Sequence, residues 1–195
     1  MDLKMNYNLI SLFPTPILNI YDFISNEERE DILRKILNTE HQKQEIFSGD
    51  GCSTHKFKER NNFLSEKIII RLENAINEYA KVRQTRPVKL DSYWSIIQNY
   101  GSIFKNHTHP YSVYSGSLYI NVNNDSSKIW FDNPNPNIMN EHFLKENEFN
   151  RDLFSIQPKN GQLIVFPSWL KHGSDYDINK MKNRVSISFN TSYDL

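Results

Sequence analysis

His107 and His109 stand one residue apart in the stretch Asn-Tyr-Gly-Ser-Ile-Phe-Lys-Asn-His-Thr-His-Pro, residues 99–110. Side chains of an extended segment alternate with period two, so both imidazoles can point to one side and share a cation. A third imidazole, His172, lies in Trp-Leu-Lys-His-Gly, just after the strand-like run Gln-Leu-Ile-Val-Phe. Any one histidine alone is more often a surface or hydrogen-bonded core residue than a ligand. His41, His55 and His142 stay in that class, because they sit in polar stretches without a ligand partner. Further along, Arg184 opens the alternating run Arg-Val-Ser-Ile-Ser-Phe-Asn. Three nitrogen donors beside a fixed cation suit a divalent transition metal with an anionic organic co-ligand.

Those residues need strands to hold them, and the chain after Pro87 supplies strand-like segments. Residues 88–100, 113–122, 128–131, 162–166 and 184–192 are rich in Ile, Val, Tyr, Phe and Trp with polar residues interleaved. The first part of the chain reads differently. Residues 12–21 contain Pro14 and Pro16 and predict an opening edge strand. Ser25-Asn26-Glu27-Glu28 spells a capping box, followed by helical spacing through Ile32, Leu33, Ile36 and Leu37. Residues 40–58 are polar and predict a surface loop. A longer helix is predicted over 62–82, where Leu64, Ile68, Leu72, Ala75, Ile76 and Tyr79 recur every three or four positions. The segment 133–160, opening on Asn-Pro-Asn-Pro, is long for a plain connection and suits a lid or a short helical insertion over a site. Helices followed by a run of strands predict an α+β, mainly β chain in which a sheet barrel is buttressed on one face by N-terminal helices.

Bulk properties bound the partners. At 195 residues the chain suits one domain, with a strand and supporting helices in 1–86 and the barrel core in 87–195. Acidic and basic residues balance at 23 each, so no global field recruits nucleic acid or an anionic membrane. Aromatics at 13% and hydrophobic residues at 38% argue for a folded core. Cys52 is the only cysteine, which excludes an internal disulfide and fits a reducing compartment. The opening residues 1–7 lack an apolar signal core and no run reaches membrane-spanning length, so a soluble, cytoplasmic protein is expected. The edge-like first strand permits a homodimer without requiring one.

The motifs occur in a recognisable order: His-Thr-His-Pro, Ser-Gly-Ser-Leu-Tyr-Ile-Asn, Ile-Trp-Phe-Asp-Asn-Pro, Gly-Gln-Leu-Ile-Val-Phe-Pro-Ser-Trp-Leu-Lys-His-Gly, then Arg-Val-Ser-Ile-Ser-Phe-Asn. In this order the chain resembles a family of 2-oxoglutarate/Fe(II)-dependent oxygenases found in marine bacteria and tailed phages, related to the prolyl-hydroxylase branch. The resemblance extends over nearly the whole chain, most strongly over 92–192. It implies a double-stranded β-helix, or jelly-roll barrel, with the N-terminal helices packed on one sheet. It also implies Fe(II) and 2-oxoglutarate as cofactor and co-substrate, and hydroxylation by dioxygen with release of succinate and CO2. Carried over by position, His107 and His172 match the first and last histidine ligands of such enzymes. Arg184 matches the residue that pairs with the far carboxylate of 2-oxoglutarate, for which a planar guanidinium is geometrically suited. Tyr119 falls where a tyrosine hydrogen-bonds that carboxylate. Ser186 and Ser188 share a strand face with Arg184 and could add hydroxyls to the same anion pocket.

The middle ligand position departs from the broad superfamily, which places a carboxylate there. Here the slot holds His109, which makes the centre one unit more positive; Asp132 in Trp-Phe-Asp-Asn-Pro is the reserve ligand. Two other readings stay open on the residues alone. One is a three-histidine zinc or cupin-type enzyme that activates water without a keto acid, which leaves Arg184 and the serines without a role. The other is a non-catalytic jelly-roll binding module with incidental histidines. Trp94, Tyr114, Trp130 and Trp169 are candidates to line a substrate mouth. The substrate itself, a small molecule or a protein side chain, is not named by the sequence.

Overall fold

The structure, a computed structural model, describes residues 12–57, 61–135, 137 and 144–194. The opening heptad and His142 lie outside the described residues. Among the described residues the chain is mainly β, with two helices and antiparallel strand pairing throughout. In order, its elements are β1 (Leu18–Ile20), α1 (Asn26–Leu37), β2 (Gln42–Lys43), β3 (Phe47–Ser48), β4 (Gly51–Ser53), α2 (Glu66–Val82), β5 (Val88–Gln98), β6 (Ile103–Phe104), β7 (Tyr114–Asn121), β8 (Ile129–Asp132), β9 (Leu153–Ile156), β10 (Leu163–Pro167), β11 (His172–Gly173) and β12 (Arg184–Tyr193). A seven-stranded sheet runs β1-β10-β7-β12-β5-β4-β2; a three-stranded sheet runs β11-β8-β9; β3 and β6 form a small pair.

Strand alternation sorts the large sheet into two faces with different tasks. Val185, Ile187 and Phe189 of β12, Leu118 and Ile120 of β7, and Leu163 and Val165 of β10 join the helices in the main core. The opposite parity carries Tyr119, Ile164 and Phe166, which pack on Ile129, Phe131 and Leu170 toward the three-stranded sheet. Both faces are therefore buried, and the second also carries buried polar side chains, among them Ser115, Ser186 and Ser188. α1 lies on β7 and α2 on β5. α2 forms because Ile68, Leu72 and Ile76 fall on one stripe, and all three are buried. It begins at Glu66 rather than at residue 62, with Ser65 as its N-cap residue.

The capping box at α1 is present as spelled: Glu28 N donates to Ser25 Oγ, and Ser25 N donates to Glu28 Oε2. Glu28 also takes a bidentate pair from Arg71 of α2 at 3.0 and 2.7 Å, which ties the two helices together. That guanidinium, with the Ser25 amide, holds the carboxyl down at about 2, below its ordinary 4.5. Glu28→Gln is accordingly expected to cost about 1–2 kcal/mol at neutral pH. A carboxyl with a depressed folded pKa contributes fully above its unfolded value and loses that contribution as protons bind in the folded state. Urea denaturation of both proteins should show the gap shrinking as pH falls from 4.5 toward 2.

Several expectations need correction. Residues 40–58 are not a plain loop, since β4 pairs with β5 and β2 with β4, extending the large sheet. Their polar composition is misleading because Thr54 is buried and its hydroxyl accepts the Ser95 amide at 3.0 Å. The insertion contains β9, paired along β8 from Ile129↔Ile156 to Asp132↔Leu153. The opening strand is only three residues long, at the sheet edge as expected, and the two prolines precede it. Tyr114 does not line any mouth; it is buried among the helices, with its hydroxyl 2.6 Å from that of Thr85.

Candidate metal centre

His107 and His172 are joined through their backbones before their side chains meet. His107 N donates to His172 O at 2.9 Å and His172 N donates to His107 O at 3.0 Å, an isolated antiparallel bridge. His109 N donates to Ser168 O at 2.9 Å. His172 is not a continuation of the preceding strand: the chain leaves β10 at Pro167, turns, and re-enters the three-stranded sheet as β11 opposite Phe131. Gly173 follows for a steric reason, because a Cβ there would stand 2.4 Å from Asn106 Oδ1 and 2.7 Å from Phe104 O. This close approach carries the His107 segment past β11.

The three imidazoles converge, with one donor atom from each lying within 4.8 Å of the others. His109 Nε2 is 3.3 Å from His172 Nε2. Two donors at right angles around a cation with bonds of about 2.1 Å would be roughly 3 Å apart. Hydrogen bonds set the tautomers. Nδ1 of His107 lies 2.8 Å from Lys105 O and Nδ1 of His172 lies 2.8 Å from Leu170 O. A carbonyl only accepts, so each Nδ1 carries the proton and each Nε2 keeps its lone pair for a metal. Burial lowers the pKa of all three rings from the ordinary value: His172 well below it, His109 to about 4 with the neighbouring His107 adding to the effect. Neutral imidazoles at physiological pH are what a divalent cation requires.

Arg184, Tyr119, Ser186 and Ser188 line the same hollow as the three histidines. Arg184 is only 5% exposed. Its Nη1 donates to Gln98 Oε1 at 2.7 Å and its Nη2 to Ser127 O at 3.3 Å, while Nε has no partner among the described residues. The guanidinium lies over the Tyr119 ring, 5.5 Å from its centroid. Burial draws the Arg184 pKa downward and the Tyr119 pKa upward, each moderated by the other. Both direct partners of this buried cation are neutral, and an orphaned N–H is costly to leave so. An organic anion in the hollow would satisfy both, and three neutral nitrogen donors fit a divalent metal beside it. Asp132 is not part of the histidine group. Its carboxylate takes Lys171 Nζ at 2.9 Å and Asn106 Nδ2 at 3.0 Å.

The remaining candidates separate. Trp94 lines the hollow, whereas Trp130 packs edge-on to Tyr176 and Trp169 is half exposed. His41 bridges Thr39 O and Ser95 Oγ, a structural role. His55 stands 4.7 Å edge-on to Trp94, nearer the site than its polar sequence context suggested. Sequence reasoning missed Gln98, Ser127 and Lys128. Gln98 was accessible by register, since it pairs directly with Arg184; Ser127 and Lys128 carry no spacing signal.

Comparison with known proteins agrees with this geometry. A family described as "Putative 2OG-Fe(II) oxygenase" matches residues 92–190, just over half of the chain and all of the residues named around the hollow. No curated protein sequence matches. Among solved structures, HygX from Streptomyces hygroscopicus with nickel and 2-oxoglutarate bound aligns over 93% of this chain and 84% of its own, at 10% identity and a TM-score of 0.64. A Pseudomonas putida prolyl-4-hydroxylase aligns over 92% of this chain and 93% of its own, at 11% identity and a TM-score of 0.64. A viral collagen prolyl hydroxylase from Paramecium Bursaria Chlorella virus-1, as its 2-oxoglutarate complex, aligns over 90% and 96%, at 10% identity and a TM-score of 0.53. At such identities the likeness is one of fold. With the family match spanning the strands that carry all three imidazoles and the buried guanidinium, the chain belongs to the 2-oxoglutarate/Fe(II) oxygenase family.

Proposed function

We propose that this protein is a dioxygenase that hydroxylates an organic substrate, using Fe(II) and 2-oxoglutarate and releasing succinate and CO2. In this reading it is a single cytoplasmic domain, and its sheets form a double-stranded β-helix with α1 and α2 on the outer face. His107 and His172 would hold the metal through Nε2, the atom left free by the tautomers described above, with His109 as the third donor beside them. Arg184 would take the far carboxylate of 2-oxoglutarate, with the Tyr119, Ser186 and Ser188 hydroxyls available beside it. Bound together, Fe(II) and the keto acid supply the oxidising chemistry with dioxygen.

The protein's part is placement and exclusion of water. Ile96, Ile129 and Phe166 give the hollow apolar walls, which strengthen the attraction between Arg184 and a carboxylate. Gln98 fixes the fork of Arg184 from the neighbouring strand. Lys105 and Leu170 hold the protons of two ligand rings at Nδ1, away from the cation. The observation that carries the reading is the buried Arg184, with only neutral partners and an orphaned Nε, in the hollow onto which three imidazoles open. A zinc hydratase would give that cation no task.

The test is anaerobic addition of Fe(II) and 2-oxoglutarate to metal-free protein. A weak visible charge-transfer band is expected when both are present and not with either alone. Succinate should form when oxygen is admitted. Absence of the band, with metal binding otherwise intact, would remove the keto acid from the function.

A further inference from the structure

His107, His109, Trp94, Ile96 and Phe104 wall two clefts at once. Besides the hollow of Arg184 they line an adjoining cleft of ≈ 440 Å³, completed by residues 44–47, Ser53, His55 and Lys56. That volume is in the range of small-molecule sites. The β3–β6 pair builds it: Phe47 stacks on Phe104 with centroids 4.8 Å apart, and Lys105 N donates to Ile46 O at 3.0 Å. Lys105 Nζ also donates to Glu45 O at 2.9 Å. The wall is thus stitched to the chain two residues before the first metal-ligand candidate.

The lining is aromatic with a short polar set. Gln44 also lines the cleft, with its Nε2 buried away from solvent and without a hydrogen-bond partner among the described residues. One carboxylate, Glu45, and one ammonium, Lys56, lie on the same lining, and no ion pair among the described residues uses either. Formal charge in the cleft is balanced, which disfavours phosphorylated or polyanionic ligands. We infer that this cleft is the primary-substrate site of the oxygenase and that its substrate is a free, zwitterionic amino acid with an apolar side chain. This inference rests on the oxygenase reading above. The carboxylate of such a ligand suits Lys56, its ammonium suits Glu45, and its side chain suits the aromatic walls beside His107 and His109. A residue inside a peptide chain carries neither charge at its α-carbon and would leave Glu45 and Lys56 unmatched.

Calorimetry on the full chain, loaded anaerobically with Fe(II) and 2-oxoglutarate, tests this with L-leucine, L-isoleucine, L-proline and L-phenylalanine as probes. Each probe is compared with its N-acetyl amide. At least one free amino acid should bind saturably, and its blocked form about tenfold or more weaker, the worth of one charge-assisted contact. Glu45→Gln and Lys56→Met should each weaken it about tenfold while leaving 2-oxoglutarate binding unchanged. Equal binding of the blocked forms would overturn the inference in favour of a peptide substrate. Binding of none of the probes to a protein that still binds 2-oxoglutarate, or binding indifferent to both substitutions, would overturn it alone. A wild-type protein that does not bind 2-oxoglutarate would sink this inference and the oxygenase reading together.

Discussion

His172→Ala is expected to abolish Fe(II) binding and, with it, succinate formation. His172 is the most buried of the three rings, and its lone pair is held free at Nε2 by the Leu170 carbonyl. Removing one of three nitrogen donors should weaken metal affinity by at least about a hundredfold, more than loss of a second-layer partner costs. The ring also packs 4.4 Å from Phe166, so a cavity penalty of about 2–3 kcal/mol should appear in denaturation curves. The two losses are separable. His41→Ala, which removes a half-buried imidazole bonded to Thr39 and Ser95, should lower stability while leaving Fe(II) affinity as it was. If His172→Ala bound the metal as tightly as wild type, the histidine cluster would be structural.

Arg184→Ala should leave metal binding intact and remove 2-oxoglutarate binding. A carboxylate stripped of its partner inside a buried site loses about 3–5 kcal/mol, roughly two to four orders of magnitude in apparent affinity. The variant also leaves Gln98 Oε1 without its donor, adding a smaller stability loss. Arg184→Lys should recover only part of the affinity, because an ammonium keeps the charge and loses the planar fork. The measurement is the charge-transfer band titrated with 2-oxoglutarate at saturating Fe(II). Wild-type titration curves in the alanine variant would exclude this hollow as the keto-acid site.

Much of the site was legible because parity along strands survives folding. The period-two rule placed Arg184, Ser186 and Ser188 on one face, and all three line the hollow. The same rule applied to β7 would have separated Tyr119 from Tyr114, which has the parity of Leu118 and Ile120 and goes into the helical core. Aromatic character alone put Tyr114 at a mouth, and register corrects it. The convergence of His172 with the His-Thr-His pair was not deducible from periodicity, since it needs a chain reversal between β10 and β11. Only the order of motifs pointed there. The helices were legible because their stripes and caps are local, whereas β4 and β9 are only three and four residues long and gain their order from partners far along the chain. Gln44 and Lys56 lay in a segment read as surface loop, so the second cleft was invisible until β3 paired with β6.

The reciprocal backbone bridge between His107 and His172 has a consequence for metal exchange. Two of the three donors are mounted on strands clasped by paired amide bonds, so their spacing is a property of the folded sheet rather than of any ion between them. Preorganisation of this kind means the entropy of gathering the donors is lost during folding, not at the moment of capture. Loading and release should then proceed by small ring rotations, with amide hydrogen exchange at residues 107 and 172 equally slow before and after chelation.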